Sequence, residues 1–248
     1  MSDKPAGPRP PPERRLPVAR RPAGRMPLLN ARTLSGLLAL RDRLLRRKEA
    51  AGVEDRIAQR PASQAPIPRP LHADWAWRPE AWTRTLRPSG LVAPEPGARL
   101  GTEIAVFHDC ALREMSLHQR PGRAGEAPMR LSMEVVGMSG DFLSLAIDLP
   151  AESLNRLGAG HILSAIATFA AASPVAATAR LNLRQGPEQR ILARVLVSGA
   201  PAEFDLAAAG LDHRPISAGW LDLIFDAPTQ NRIEIDDLTL TRRPRAAF

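Results

Sequence analysis

The chain has 248 residues and a formal net charge of +8, a length that suits one large β domain or two smaller ones. The charge is uneven, because residues 1 to 60 contain 15 Lys or Arg against 6 Asp or Glu, whereas the remaining residues contain 19 against 20. A single Cys excludes an internal disulfide, and the sequence has neither a secretion signal at its start nor a run of 18 apolar residues. Composition therefore predicts a cytoplasmic protein without a transmembrane segment.

The first 71 residues divide into three predicted segments. Residues 1 to 32 form a Pro- and Arg-rich leader that has too little apolar surface to offset the entropy of ordering, so we expect it to be disordered. Residues 33 to 52 place leucines at helical spacing behind a capping Thr33, which predicts one amphipathic helix. Residues 53 to 71 form a Pro-rich linker.

The polar side of the predicted helix is strongly basic. It carries Arg41, Arg43, Arg46, Arg47 and Lys48. Three interpretations stay open: a solvated face, contact with an anionic membrane surface, and contact with nucleic acid. Nucleic acid is disfavoured, because residues 1 to 70 contain no aromatic side chain on which a base could stack.

The folded domain is predicted to span residues 72 to 248 and to begin with a Trp-rich segment, 72 to 101. Trp75, Trp77 and Trp82 occur there as W-x-W-x4-W, among prolines that forbid a long helix. The pattern predicts an extended segment held by its aromatic rings. These rings either clamp the segment onto a sheet or form a platform on which sugar rings stack.

Short β-patterned runs, each bounded by Pro or Gly, follow one another from Thr102 onward. The predicted strands are 103–108, 112–118, 129–136, 142–149, 161–169, 175–184, 191–197 and 202–206, with a helical turn at 152–157. No long helices alternate with these strands. The predicted fold class is therefore all-β, an antiparallel, jelly-roll-like β-sandwich.

The last 29 residues contain two further β-patterned runs, 220–225 and 233–240, on either side of a Pro-Thr-Gln-Asn turn. Apolar residues alternate along both runs, which predicts a closing hairpin. The alternation of the second run shifts by one position after Ile235. A β-bulge at Asp236 and Asp237 is predicted, because it absorbs one extra residue.

No catalytic constellation stands out, and no catalytic residue is predicted. His108, Asp109 and Cys110 are adjacent in sequence, but neighbouring strand residues point to opposite faces, so we expect structural roles for them. The five histidines show no metal-binding spacing, and the two common glycine motifs of nucleotide-binding loops do not occur.

Three blocks of the folded domain carry a family resemblance. They are HADWAWRPEAW, RLGTEIAVFHDCALREMSL and WLDLIFDAPTQNRIEIDDLTLTRRPRA. In this order they resemble a domain family of alphaproteobacteria that has no assigned activity, over about residues 72 to 248. The resemblance implies a bacterial, cytoplasmic protein and transfers no site residue.

A second resemblance concerns the fold. The segment AEFDLAAAG followed by WLDLIFDAPTQNRIEIDDLTL is similar to the last strands of galactose-binding-like and carbohydrate-binding-module jelly rolls. In many such modules an acidic residue here and another near the first strand hold a structural calcium ion, which implies Asp236 and Glu103. The alternative is that the acidic pair at the bulge faces water or Arg242.

The same resemblance directs attention to Trp220. Sugar binding in such modules lies on variable loops or on a concave face. Trp220 lies on the strand face opposite to Leu221 and Leu223, which makes it a candidate ligand residue beside Trp75, Trp77 and Trp82.

Three functional hypotheses follow. The first is a non-enzymatic binding or interaction protein with a carbohydrate-binding-module-like sandwich, whose partner is a glycan or a glycan-bearing protein. The second is an assembly or scaffold protein that docks on an anionic membrane surface through its basic N-terminal arm. The third is a glycan-active jelly-roll enzyme, which needs paired carboxylates such as Glu134 and Asp148 to converge in one groove. No cofactor is predicted beyond the structural calcium.

Overall fold

The computed structural model describes residues 66 to 123 and 126 to 246. Within these ranges the chain forms thirteen β-strands in two sheets, and every strand pair is antiparallel. The predictions for the leader, for the amphipathic helix and for most of the linker lie outside the described residues. The same holds for the polyanion contacts predicted at Arg41, Arg43, Arg46, Arg47 and Lys48.

Sheet A contains seven of the strands. They are β1 (Trp75–Trp77), β2 (Gly90–Val92), β5 (Glu114–Pro121), β6 (Met129–Gly137), β8 (His161–Ala171), β11 (Pro201–Asp205) and β13 (Asn231–Pro244). Their order is β11-β8-β13-β6-β5-β2, and β1 pairs with the second half of β13.

Sheet B contains the other six strands. They are β3 (Arg99–Leu100), β4 (Ile104–His108), β7 (Phe142–Asp148), β9 (Ala177–Gln185), β10 (Glu188–Val195) and β12 (Ile216–Asp226). Their order is β10-β9-β12-β7-β4-β3. Two short α-helices, Glu80–Thr83 and Ala151–Leu154, and a 3-10 helix, Leu206–Ala209, lie between strands.

The prediction of an all-β antiparallel sandwich is confirmed. Each run predicted from residue 103 to residue 206 corresponds to one of the strands β4 to β11, and the predicted helical turn is the helix Ala151–Leu154. The chain changes sheet at most of its connections, as a jelly-roll does. Among the described residues, no helix has the length and apolar character needed to cross a membrane.

The core lies between the two sheets and is built from alternate residues of each strand. Leu221, Leu223 and Phe225 of β12 point inward from sheet B, and Ile233 begins the matching row of β13 in sheet A. The ring of Phe225 meets that of Phe169 from β8 edge to face, with centroids 6.0 Å apart. The alternation seen in the sequence thus marks the buried side of each strand.

The predicted closing hairpin is wrong. Strand β12 pairs with β7 and β9 in sheet B, whereas β13 pairs with β6 and β8 in sheet A. Residues 227 to 230 therefore carry the chain across from one sheet to the other, with Ala227 and Gln230 in the left-handed region at φ 37° and 49°. The two apolar rows face each other through the core, because alternation defines an apolar face but does not choose the pairing partner.

The predicted β-bulge is confirmed. The register between β13 and β8 shifts between Ile235 and Asp237, which makes Asp236 the extra residue. A shift of one residue inverts the two sides of a strand. The bulge therefore keeps Leu238 and Leu240 inside the core, where both are 0% exposed.

Trp82 fixes the Trp-rich segment to this bulge. Its side chain is 0% exposed, and its Nε1 donates a hydrogen bond to the carbonyl oxygen of Ile235 at 3.1 Å. The helix Glu80–Thr83 that carries Trp82 packs against β6 and β13. Of the two roles considered for the tryptophans, Trp82 has that of the clamp.

We expect Trp82→Ala to lower the free energy of unfolding by about 3–5 kcal/mol, because it empties a large core volume and removes the donor to the Ile235 carbonyl. Urea unfolding followed by circular dichroism measures the change. Trp75→Ala, at a partly buried position of the same segment, is the matched control and should cost clearly less. An equal loss for both variants would contradict the clamp.

Candidate functional site

A pocket of about 270 Å³ opens on the outer side of sheet A beside the bulge, and we call it the bulge pocket. Its walls are formed by Pro66, Pro68, Arg78, Glu126, Ala127, Thr168, Asp236 and Asp237. These residues come from the chain before β1, from the turn after β1, from the loop before β6, and from β8 and β13. Only the folded chain brings them together.

The bulge explains why two consecutive carboxylates reach one pocket. In a regular strand, neighbouring side chains point to opposite faces. At a bulge, two residues oppose one residue of the partner strand, and the local twist redirects their side chains. Asp236 and Asp237 therefore both line the pocket.

Arg78 is the fixed cation of the pocket. Its Nε and Nη2 donate to Oδ1 and Oδ2 of Asp237, both at 2.8 Å, in a bidentate ion pair. The side chain of Arg78 is only 4% exposed, so the pair is largely shielded from water. Asp237 is thereby held in one orientation.

Asp236 is less completely satisfied. Its Oδ2 accepts a hydrogen bond from Nη1 of Arg123 at 2.6 Å, whereas Nη1 of Arg130 stays 3.8 Å from Oδ1. The side chain is 6% exposed, and Oδ1 has no hydrogen-bond partner within the described structure. A buried acceptor without a donor costs free energy, so the bulge keeps Asp236 at a cost to stability.

The pocket suits one small polar group. Its volume of about 270 Å³ lies just below the usual range for ligand pockets, roughly 300 to 1,000 Å³. Carboxylate oxygens of Asp236 and Glu126 can accept hydrogen bonds, and the hydroxyl of Thr168 can donate or accept. Pro66 and Pro68 add apolar surface.

The outer face of sheet B carries a second cluster, which we call the sheet B face. We define it as nine buried residues that the strand register places on this face, namely Phe107, Phe142, Ser144, Ala146, Arg180, Asn182, Trp220, Asp222 and Ile224. All nine residues are at most 4% exposed. The apolar members nevertheless do not belong to the core between the sheets.

A hydrogen-bond network occupies the centre of the sheet B face. Nε and Nη2 of Arg180 donate to Oδ2 of Asp222 at 3.0 and 2.8 Å, and Nδ2 of Asn182 donates to the same oxygen at 2.8 Å. Nε2 of Gln189 donates to Oδ1 of Asn182 at 3.1 Å. The sequence signal for this network is weak, because it consists of single polar residues at alternate positions of otherwise apolar strands.

The four tryptophans do not form a common sugar platform. Trp82 and Trp220 are 0% and 2% exposed, so neither presents a ring face to solvent. Trp75 and Trp77 pack against the core, and their rings stack on each other with centroids 6.2 Å apart. The ligand-binding role predicted for Trp82 and Trp220 is therefore wrong, because both side chains are buried. Trp75 and Trp77 on β1 also lie in a different sheet from Trp220 on β12.

The calcium site implied for Asp236 and Glu103 is not formed. The carboxylate of Asp236 binds Arg123, whereas that of Glu103, just before β4, accepts a hydrogen bond from the backbone N–H of Glu80 at 2.6 Å. Within residues 66–123 and 126–246, no group of three or more His, Cys, Asp or Glu side chains could hold a metal ion. The cation beside Asp236 is a guanidinium.

The carboxylate pair named for an enzyme does not converge. Glu134 lies on β6 in sheet A and pairs with Arg232 at 3.4 Å, whereas Asp148 ends β7 in sheet B and pairs with Arg99 at 2.8 Å. Two carboxylates in different sheets do not face one groove. This version of the enzyme hypothesis is therefore wrong.

The side chains of the His-Asp-Cys run make contacts within the fold. Nε2 of His108 lies 2.9 Å from the carbonyl oxygen of Pro94, and Asp109 accepts a hydrogen bond from the backbone N–H of Asp141 at 3.0 Å. Cys110 is buried. Each side chain thus contacts a segment distant in sequence, since Cys110 lies near Gly137 and Ser139.

Glu80 and Glu103 place two carboxyl groups beside the helix Glu80–Thr83. Burial is the largest cause that raises the pKa of Glu103 to about 7, and the charge of Glu80 adds to it. Burial also acts to raise the pKa of Glu80, but hydrogen bonds from Thr102 and Arg84 outweigh it and lower that pKa. Glu103 therefore exchanges its proton near neutral pH.

The sequence of this sandwich matches one known family. Residues 19 to 248 match the family of unknown function DUF6478. The chain belongs to this family. The matched range includes the whole sandwich, which confirms the resemblance to a family without an assigned activity. Among curated proteins, none matches the sequence.

Three solved structures illustrate the similarity in fold. The family 11 carbohydrate-binding module from Clostridium thermocellum, in complex with a β-1,3-1,4-mixed-linked tetrasaccharide, is 8% identical with a TM-score of 0.36, covering 58% of this chain and 91% of that one. The CBM22-1 xylan-binding domain from Paenibacillus barcinonensis Xyn10C is 11% identical with a TM-score of 0.34, covering 64% and 94%. The enzymatically active domain of bacteriophage CBA120 tailspike protein 4 is 4% identical with a TM-score of 0.37, covering 56% of this chain and 19% of that one. The likeness concerns the fold alone and carries no argument about a ligand.

We expect the stability of the protein to fall as the pH rises from about 4.5 to about 7, because the folded state keeps the Glu103 proton over this range while the unfolded chain releases it. Glu103→Gln keeps an oxygen that accepts the Glu80 N–H and cannot ionise. Relative to wild type, the variant should gain up to about 3 kcal/mol of unfolding free energy between these pH values.

Urea unfolding at pH 4.5, 6 and 8 measures this gain. Glu152→Gln, at an exposed position of the helix Ala151–Leu154, is the matched control and should keep the wild-type slope. Parallel pH profiles for Glu103→Gln and wild type would show that the prediction is wrong.

Proposed function

We propose that this protein is a non-enzymatic binding protein that holds a glycan in the bulge pocket. The observation that carries the proposal is the open bulge pocket, in whose wall the bulge places the carboxylates of both Asp236 and Asp237. Sugar hydroxyls donate hydrogen bonds to carboxylate oxygens, which accept only.

The chemistry of the pocket supports a carbohydrate as the ligand. Each sugar hydroxyl both donates and accepts hydrogen bonds, and the ring between the hydroxyls has apolar C–H faces. Asp236 and Thr168 offer the polar partners, and Pro66 offers an apolar wall. Because Arg78 holds Asp237 in a bidentate pair, part of the site is ordered before the ligand arrives, which lowers the entropic cost of binding.

The ion pairs of the two pocket aspartates favour binding without catalysis. Asp236 and Asp237 are each engaged by an arginine. A two-carboxylate glycosidase instead needs an acid and a nucleophile or base that face each other across about 5–9.5 Å of cleft. The pair named from the sequence, Glu134 and Asp148, is divided between the two sheets.

Docking on an anionic membrane surface stays a sequence prediction. Its basis is the set Arg41, Arg43, Arg46, Arg47 and Lys48, which lies outside the described residues.

We expect Thr168→Trp to weaken glycan binding at least tenfold, because Thr168 is an exposed wall residue and a large ring at this position fills the pocket. Ala170→Trp is the matched control, since Ala170 is exposed on the same side of β8 and does not line the pocket. Glycans that bind wild-type protein on an array are titrated against both variants by calorimetry.

Two results would overturn the proposal. If wild-type protein binds no glycan on the array, a glycan is not the ligand. If Thr168→Trp and wild type bind a glycan with equal dissociation constants, the bulge pocket is not the binding site.

A further inference from the structure

The sheet B face is buried although it lies on the outside of the sandwich. In a two-layer sandwich each sheet buries one face against the other, and its second face meets solvent unless something covers it. Ile224, Ala146 and Trp220 are 0%, 1% and 2% exposed, as core residues are. A cover beyond the two sheets must therefore exclude water from this face.

The described helices do not supply this cover. The helix Glu80–Thr83 packs against strands of sheet A, and the 3-10 helix packs against β8 and β10. The helix Ala151–Leu154 reaches β12 from the core side, where Leu154 approaches Gly219 next to Leu183. Within residues 66–123 and 126–246, no helix lies across the sheet B face.

The side chains of this face define what the cover must offer. Phe107, Phe142 and Ile224 require an apolar surface. At the centre, Nη1 of Arg180 and Oγ of Ser144 are buried without a hydrogen-bond partner in the described structure. A cover with apolar residues on one side and polar residues beside them fits this combination.

We infer that residues 40 to 51 of this chain dock on the sheet B face. Leu40, Leu44 and Ala51 recur at positions i, i+4 and i+11, which lie on one side of a helix, and the basic Arg47 at i+7 lies beside them. An amphipathic helix in water gains most of its stability by burying its apolar side against a partner surface. A helix formed by this segment would meet the requirement of the sheet B face for a cover.

The length of the intervening chain permits this contact. Fourteen residues, 52 to 65, connect the segment to Pro66, which lies at the bulge pocket on sheet A. An extended chain spans up to about 3.3 Å per residue, so this connection reaches about 45 Å. Packed sheets are separated by about 10 Å, so the chain can pass from the outer side of sheet A to that of sheet B.

A cleavable form of the full chain tests the inference. A seven-residue protease recognition sequence replaces residues 59 to 65, and after cleavage the two fragments are followed by size-exclusion chromatography and mass spectrometry. We expect the fragments to elute together. Ala146→Arg, which places a charged side chain on the sheet B face, should lower the retained fraction at least tenfold. Ala170→Arg, on the exposed side of sheet A, is the matched control and should retain the fragment.

A second variant avoids any change in the sandwich. Leu40→Asp with Leu44→Asp alters only the docking segment and should release it as Ala146→Arg does, while circular dichroism shows an unchanged sandwich. Fragments that separate in the wild-type protein would overturn the inference. The inference would also be overturned if neither Ala146→Arg nor the double leucine variant reduced the retained fraction of the fragment. A dimer that Ala146→Arg dissociates and the leucine variant leaves intact would show that a second copy covers the face.

Discussion

The indole N–H of Trp82 donates to the carbonyl oxygen of Ile235, immediately before the one register shift between β13 and β8. A bulge interrupts the hydrogen-bond ladder and bends the strand, so it needs support from elsewhere in the fold. Trp82 supplies that support from within the core. The inward row of β13 can therefore continue through Leu238 and Leu240 after the extra residue, and the second half of the longest strand stays part of the core.

The same bulge sets the chemistry on the outside of sheet A. It brings Asp236 and Asp237 to one pocket, and Arg78, four residues before Trp82, binds Asp237 there. The short segment from Arg78 to Trp82 thus contacts the bulge on both sides of the sheet, through Arg78 on the outer side and Trp82 in the core. Packing of the core and order in the proposed glycan pocket are coupled, because both depend on where this segment sits.

The two outer faces of the sandwich differ in a way that connects the two proposals. The outer side of sheet A has an open, charged pocket, whereas the outer side of sheet B is buried around the pair of Arg180 and Asp222. Pro66 and Pro68 belong to the pocket wall, and residues 52 to 65 connect them to the segment that we infer to cover sheet B.

The sequence by itself determined where the strands lie, which side of each strand is buried, and that β13 carries an extra residue at Asp236. These features are local, since alternation with a period of two is visible within a single strand. Only the tertiary structure decided that β12 and β13 lie in different sheets, that Trp220 is buried, and that Arg78 meets Asp237, 159 residues later in the chain. The physical reason is that alternation marks an apolar face without specifying which strand pairs with it or what covers it.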